Sequence, residues 1–230
     1  MKMFFRSFSP VALVALGTLA AGTANAAVIG YNTTGIFNCN GLASCLAVGN
    51  TATVGGLTVT YNSQAQTSVN AFPTSAANYG DIIVTGAANT ALTSLSNLLL
   101  MITINQTNPY AQNNGSFTGI VTGSLGLSGA NSTGFASICF IANACANQVE
   151  SIVYNSGSPS ITYRLQTPAN TDPPPANGYA VRATVTSAAT DATTFQGSVR
   201  DNGVPEPGTY MMLVSGLMGI GLIGRSKRNS

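Results

Sequence analysis

Residues 57–62 read LTVTYN, a stretch in which apolar side chains alternate with threonines. Successive side chains of a strand point to opposite faces of a sheet, so this period of two is typical of a half-buried β-strand. The same alternation recurs in three later stretches, residues 161–166 (ITYRLQ), 179–186 (YAVRATVT) and 195–199 (FQGSV). We therefore predict a strand at each of the four.

Other stretches extend this pattern along the chain. Residues 97–105 (NLLLMITIN) are apolar on both faces near their middle, which is typical of a central strand. Further candidate strands are residues 81–85, 116–125, 134–141 and 148–155. The alternative for residues 84–96 is a short helix, which their threonines and serines disfavour.

Turn-forming dipeptides separate these candidate strands. Asn-Gly pairs, which favour tight turns, occur at 40–41, 114–115, 177–178 and 202–203, and Gly-Gly occurs at 55–56. Short strands separated by turns at such regular intervals predict an all-β fold, a β-sandwich of the jelly-roll-like kind.

The N-terminus has the features of a secretory signal peptide over residues 1–26. Lys2 and Arg6 supply the positive region, residues 11–21 are apolar, and residues 24–26 (ANA) form an A-x-A cleavage site. An uncleaved anchor is the alternative. The sequence thus predicts a signal peptide at 1–26, an exported β-sandwich at 27–203 and a C-terminal segment at 204–230.

Residues 27–203 carry very few charges. Three bases and five acids give a net charge of −2, and this region has no lysine, histidine or tryptophan. The absence of a basic patch argues against nucleic-acid binding. The charged residues of the region are Arg164, Arg182 and Arg200, and Asp81, Glu150, Asp172, Asp191 and Asp201.

The four cysteines form two pairs with the same C-x5-C spacing. An even count in an exported chain predicts disulfides, and three connectivities are possible. Turn formers inside each segment favour local pairing, Cys39 with Cys45 and Cys139 with Cys145. A metal site is the alternative, and the lack of histidine and of CxxC spacing disfavours it.

Enzymatic constellations are missing from residues 27–203. Without histidine or lysine, Ser-His-Asp, Cys-His and Ser-Lys arrangements cannot be built. A pair of carboxylates for glycoside hydrolysis is the remaining alternative, but the acids are scattered along the sequence. We therefore expect a protein that is not an enzyme, with no catalytic residue, no metal and no cofactor.

Carbohydrate binding is the alternative function that the sequence leaves open. Lectins stack sugars on exposed aromatic rings and hydrogen-bond them through amide side chains. Tyr31, Tyr79 and Tyr110 lie in polar, loop-like contexts. The densest polar–aromatic stretch is residues 106–114, in which Asn108, Tyr110 and Asn113 form a candidate glycan loop; an ordinary solvated hairpin is the other interpretation.

The C-terminal segment has three parts in a fixed order. Pro205, Glu206 and Pro207 form a rigid tripeptide that excludes a preceding helix, and residues 210–224 are apolar on all faces. A basic tail at 225–228 follows, with Arg225, Lys227 and Arg228. This order predicts a single transmembrane helix at about 209–224 with its basic end in the cytoplasm. A buried C-terminal helix is the alternative.

This order of parts resembles the PEP-CTERM sorting domain of Gram-negative bacteria, over about the last 27 residues. The resemblance implies an address and not an activity. Proteins with this signal are processed by exosortase, a membrane enzyme, and are typically linked to exopolysaccharide and biofilm. It implies an intermediate anchored in the inner membrane, then a place on the cell surface or in the extracellular matrix. The expected partners are an exosortase-like enzyme, the inner membrane and extracellular polysaccharide. The expected function is that of a non-enzymatic surface or matrix protein.

Overall fold

A computed structural model of the protein describes residues 27–71, 74–140, 151–155, 160–165, 178–186 and 191–202, and position 217. Except for position 217, they belong to one compact unit, Ala26–Gly203. This part of the chain is almost entirely β-strand. Its strands are β1 (Ala27–Asn38), β2 (Cys45–Val48), β3 (Thr51–Val54), β4 (Leu57–Asn62), β5 (Thr67–Ala71), β6 (Thr74–Gly86), β7 (Thr93–Ser94), β8 (Leu99–Asn108), β9 (Gln112–Ser128), β10 (Asn131–Cys139), β11 (Ser151–Tyr154), β12 (Ile161–Leu165), β13 (Tyr179–Val181), β14 (Ala183–Thr184) and β15 (Thr193–Asp201).

The strands form two sheets that curl around a shared core. The first sheet has the order β13-β10-β9-β8-β1-β5, with β7 also paired to β9. The second sheet has the order β11-β12-β15-β6-β4-β3-β2, with β14 also paired to β6. The β14–β6 pair is parallel, and the pairs along both sheet orders are antiparallel. The predicted all-β sandwich is confirmed at this level.

Alternation of side chains builds the core from both sheets. In β4, Leu57, Val59 and Tyr61 are buried while the two threonines between them are partly exposed. The two sheets interlock: the ring of Tyr79 on β6 packs 5.4 Å from that of Phe117 on β9. Burial of one face of each strand is the main source of stability in such a fold.

Glycine permits the tight hairpin between β3 and β4. Gly55 and Gly56 have φ angles of +50° and +88°, a left-handed conformation that other residues rarely adopt. Val54 pairs directly with Leu57 across this turn. The predicted Gly-Gly turn is therefore confirmed, as is the Asn-Gly turn at 40–41, where both residues also have positive φ.

One sequence prediction about the β8–β9 region is wrong, and another is confirmed. The predicted Asn-Gly turn at 114–115 lies inside β9, where Gly115 pairs with Ile104 of β8. A Cβ atom at Gly115 would lie 2.2 Å from the Ile152 side chain, so glycine is needed there for close packing. The predicted central strand in residues 97–105 is confirmed as β8, which begins at Leu99 and lies between β9 and β1. Met101 on its outer face is 39% exposed.

The outer face of the second sheet carries two rows of uncharged side chains. Directly paired residues on neighbouring strands form these rows, so each row runs across the sheet. The first row is Leu46, Thr53, Thr58, Thr85 and Thr184, and the second row is Val48, Thr51, Thr60 and Ile83. Hydroxyl and methyl groups therefore replace the charges that usually cover such a face.

The predicted terminal segments lie almost entirely outside the described residues. The signal peptide at 1–26 lies outside the described residues, and so does the transmembrane helix at 209–224 apart from Leu217. In the described part of the chain, no helix is both long enough and apolar enough to span a membrane.

Candidate functional site

The candidate glycan loop is the connection between β8 and β9. Asn108 ends β8, Tyr110 lies in the turn, and Asn113 is the second residue of β9, so the structure brings the three together. Asn108 donates its amide hydrogen to the Val28 carbonyl oxygen. The hydroxyl of the half-buried Tyr110 donates to the Tyr154 carbonyl oxygen at 2.6 Å. Two of the three side chains are therefore already bound within the protein.

Gln106, at the start of this stretch, is a core residue. It is 2% exposed, its amide donates to the Tyr110 carbonyl oxygen at 3.0 Å, and its Oε1 accepts from the Tyr163 hydroxyl at 2.8 Å. A buried amide needs both kinds of partner, and this one has them. The chain of hydrogen bonds through Gln106 joins the β8–β9 turn to β12, so this turn is anchored to the core of the domain.

The expectation that Tyr31 and Tyr79 lie in loops is wrong. Both are buried, 1% and 0% exposed, with ring centroids 6.0 Å apart. The Tyr79 hydroxyl donates to the Ser198 carbonyl oxygen at 2.6 Å. The sequence signal was misleading because their neighbours in the chain are polar, whereas their neighbours in space are aromatic. No tyrosine is exposed in the described residues, so tyrosine does not offer a platform for sugar stacking there.

Burial keeps the tyrosine hydroxyls of the core protonated. Loss of hydration disfavours the phenolate and raises the pKa of Tyr31 to about 12. The same cause raises the pKa of five others, which are Tyr61, Tyr79, Tyr154, Tyr163 and Tyr179. These hydroxyls act as structural hydrogen-bond donors at neutral pH.

An open groove of about 610 Å³ lies at the other end of β9, beside its turn into β10. The chain changes sheets here, because β13 pairs with β10 of the first sheet and β14 pairs with β6 of the second. Arg182 is the single residue between β13 and β14. The polar side chains along the groove include those of Asn131, Ser132, Arg182, Asp191, Thr193 and Gln196.

Hydrogen bonds hold the walls of this groove. The Ala183 amide donates to Ser132 Oγ at 3.1 Å, which ties β14 to β10. The Thr193 hydroxyl donates to the Ala180 carbonyl oxygen at 2.8 Å and ties β15 to β13. The Tyr179 ring, which also borders the groove, packs edge-on against Phe195 at 5.3 Å. These contacts join the strands that form the walls of the groove.

Two of the few charges of the domain face this groove. Arg182 is exposed and Asp191 is partly exposed. Within the described part of the chain, no ion pair or hydrogen bond joins either side chain to another group. By contrast, Arg164 and Arg200 both interact with other groups of the protein. No sequence pattern pointed to this groove, although Arg182 and Asp191 stand out as charges in an almost uncharged region.

Residues 39–45 form the predicted local disulfide. Cys39, directly after β1, is bonded to Cys45 at the start of β2, with Cα atoms 5.7 Å apart. Cys139 is disulfide-bonded as well, and its predicted partner, Cys145, lies outside the described residues. Disulfides of this kind fit an oxidising, exported environment.

The remaining predicted site residues lie outside the described residues. These are the sorting motif, Pro205, Glu206 and Pro207, and the basic tail, Arg225, Lys227 and Arg228. Where the chain is described, no group of three or more histidine, cysteine, aspartate or glutamate side chains is placed to hold a metal ion.

Together these features define an all-β domain with a disulfide bond and, among the described residues, a polar groove beside β13 and β14. A scan against protein-family models, a search of curated proteins and a search of solved structures each found no match to this chain.

Proposed function

We propose that this protein is a non-enzymatic surface or extracellular-matrix protein, exported and then sorted through its C-terminal segment. In this proposal a signal peptide at 1–26 directs export, and a single transmembrane helix at about 209–224 holds the chain in the inner membrane. The all-β domain, of jelly-roll-like architecture, is then displayed on the surface or released into exopolysaccharide. The observation that carries the proposal is the order Pro-Glu-Pro, apolar run and basic tail directly after a disulfide-bonded domain.

The surface of the domain supports this role. The rows of threonine and aliphatic side chains on the second sheet carry no charge, and the net charge of residues 27–203 is only −2. Hydration of such a surface depends little on salt, because there are few charges for ions to screen. A protein that faces medium of changing composition benefits from this property.

The sorting segment supports the processing step. The two prolines preset φ near −65°, so the tripeptide loses little entropy when an enzyme binds it. Glu206 between them offers one carboxylate to an arginine or lysine of a membrane enzyme. The apolar helix sets the depth of the tripeptide relative to the membrane, and Arg225, Lys227 and Arg228 set its orientation.

Glu206→Ala in the native host tests the proposal. We expect this variant to be exported and inserted normally but not processed, so that the chain accumulates in the inner membrane at a mass that includes residues 209–230. Fractionation followed by mass spectrometry of the intact chain measures this. Asp172→Ala, which removes a carboxylate beside another proline run, is the matched control and should be processed like the original. Normal processing of the Glu206 variant would reduce the tripeptide to a linker.

A carbohydrate-binding module on the same anchor is the second candidate function. The groove beside β13 and β14 favours it, because its polar side chains offer both hydrogen-bond donors and acceptors. The predicted loop of Asn108, Tyr110 and Asn113 is the weaker site for this function, since Tyr110 and Asn108 are engaged with backbone carbonyls. Glycan-array binding by the full chain that survives Tyr110→Phe and is lost in a groove variant would distinguish the two sites.

A further inference from the structure

We propose that the groove between β10, β13, β14 and β15 binds a carboxylated saccharide, with Arg182 as the group that receives the carboxylate. This inference rests on the proposed location in a polysaccharide matrix. A guanidinium pairs with a carboxylate through two parallel hydrogen bonds, and it does so best when no protein group already occupies it. Arg182 meets this condition in the described structure.

The other groups of the groove suit the hydroxyl groups of a sugar ring. Asp191 and the side-chain oxygens of Asn131 and Gln196 accept hydrogen bonds, and the amides of the latter two also donate. A ring with several hydroxyls uses both kinds of group, whereas an apolar ligand would leave them unpaired at a cost. The groove is open along the surface, so it can admit a segment of a longer polymer.

The charge of the groove disfavours nucleic acid as a ligand. A nucleic acid would need several phosphates neutralised, and this groove has one cation and one carboxylate. The domain has a net charge of −2 and does not attract anions from a distance, so binding depends on local contacts. A sugar unit with one carboxylate matches the single arginine, and its hydroxyl groups match the hydrogen-bonding groups of the groove, including the Asp191 carboxylate.

Isothermal titration calorimetry on the full chain in detergent tests the proposal. The probes are linear hexamers of galacturonate and of mannuronate, the neutral maltohexaose, which has the same α-1,4 linkage as the first, and monomeric galacturonate. We expect at least one acidic hexamer to bind more tightly than maltohexaose, and more tightly than the monomer. Arg182→Gln should weaken this binding by about tenfold to a hundredfold, the loss typical of a charge-assisted hydrogen bond.

Arg200→Gln is the matched control, since it removes the same charge from β15 but does not line the groove. It should leave the affinity within about twofold. Equal binding of the acidic and neutral hexamers, equal losses in the two arginine variants, or no binding of either acidic hexamer would each overturn the proposal. If monomeric galacturonate binds as tightly as the hexamer, the inference that the ligand is a polymer is wrong.

Export and processing separate this inference from the proposed function. Arg182→Gln should be exported and processed as the original chain is, because the residue lies far in sequence from the sorting segment. Failure of saccharide binding with normal Glu206-dependent processing refutes only the groove assignment. Normal processing of Glu206→Ala together with Arg182-dependent saccharide binding refutes the sorting mechanism but supports the groove as a saccharide-binding site.

Discussion

Raising the pH above 10 should unfold the β-domain in one sharp transition, because its core contains six tyrosines that must stay protonated. Burial removes the hydration that a phenolate needs and raises the pKa of each above the ordinary value of 10.0. The six are Tyr31, Tyr61, Tyr79, Tyr154, Tyr163 and Tyr179. In the unfolded chain the same groups ionise near pH 10, so a pH above 10 lowers the free energy of the unfolded state and not that of the folded state.

The sign and size of the effect follow from proton linkage. A group whose pKa is raised on folding contributes stability that is fully present below pH 10 and is lost as the pH rises through the folded-state value. One tyrosine that stays protonated in the folded state loses about 1.4 kcal/mol of this stability at pH 11. If all six stay protonated in the folded state, the loss is at most about 8 kcal/mol, which is comparable to the whole stability of a typical domain.

The assay is a pH titration of the oxidised full chain, followed in parallel by tyrosinate absorbance and by circular dichroism. We expect a nearly constant thermal midpoint from pH 5 to 9, since residues 27–203 have no histidine and only five acids. Above pH 10 the two signals should then change together and steeply. Stepwise tyrosine ionisation near pH 10 with unchanged circular dichroism would refute the reasoning.

Tyr179→Phe provides an internal check on the linkage. The ring still packs against Phe140 and Phe195, but one ionisable proton is gone from the core. The slope of unfolding free energy against pH above 10 should therefore fall by about one sixth. The slope is a better readout than the midpoint, because the lost hydroxyl also changes the stability at neutral pH. An unchanged slope would mean that folding does not raise the pKa of Tyr179.

Two further predictions concern the packing and the crosslinks of the domain. Gly197→Ala should destabilise the domain by at least about 2 kcal/mol in denaturant unfolding, because the added methyl would lie 2.0 Å from the Arg164 carbonyl oxygen. The control is Gly129→Asn, because Gly129 faces open space and has a φ that asparagine tolerates. This control should change the stability by about 0.5 kcal/mol or less. Equal losses in the two glycine variants would contradict the packing. Peptide mapping without reductant should recover Cys39 linked to Cys45 and Cys139 linked within its own segment, and a crossed pair would contradict the local pairing.

Local patterns in the sequence determined the fold class. The alternation in residues 57–62 and 161–166 survives in β4 and β12, because the period of two is a property of each strand by itself. The local disulfide between Cys39 and Cys45 could also be predicted, since a short loop with a turn former brings its own ends together. The scarcity of charge and the three-part C-terminal segment are likewise visible without any structure.

Only the tertiary structure decided which side chains meet. Tyr31 and Tyr79 look like loop residues in the sequence, yet β1 and β6 bring them into one aromatic core. Gly115 looks like a turn residue, yet the strand containing Ile152 packs on it and requires the missing side chain. Arg182 and Asp191 share a groove because the chain passes from one sheet to the other between β13 and β14. These outcomes depend on contacts between segments far apart in the chain, and hydrophobic periodicity carries information about each segment alone.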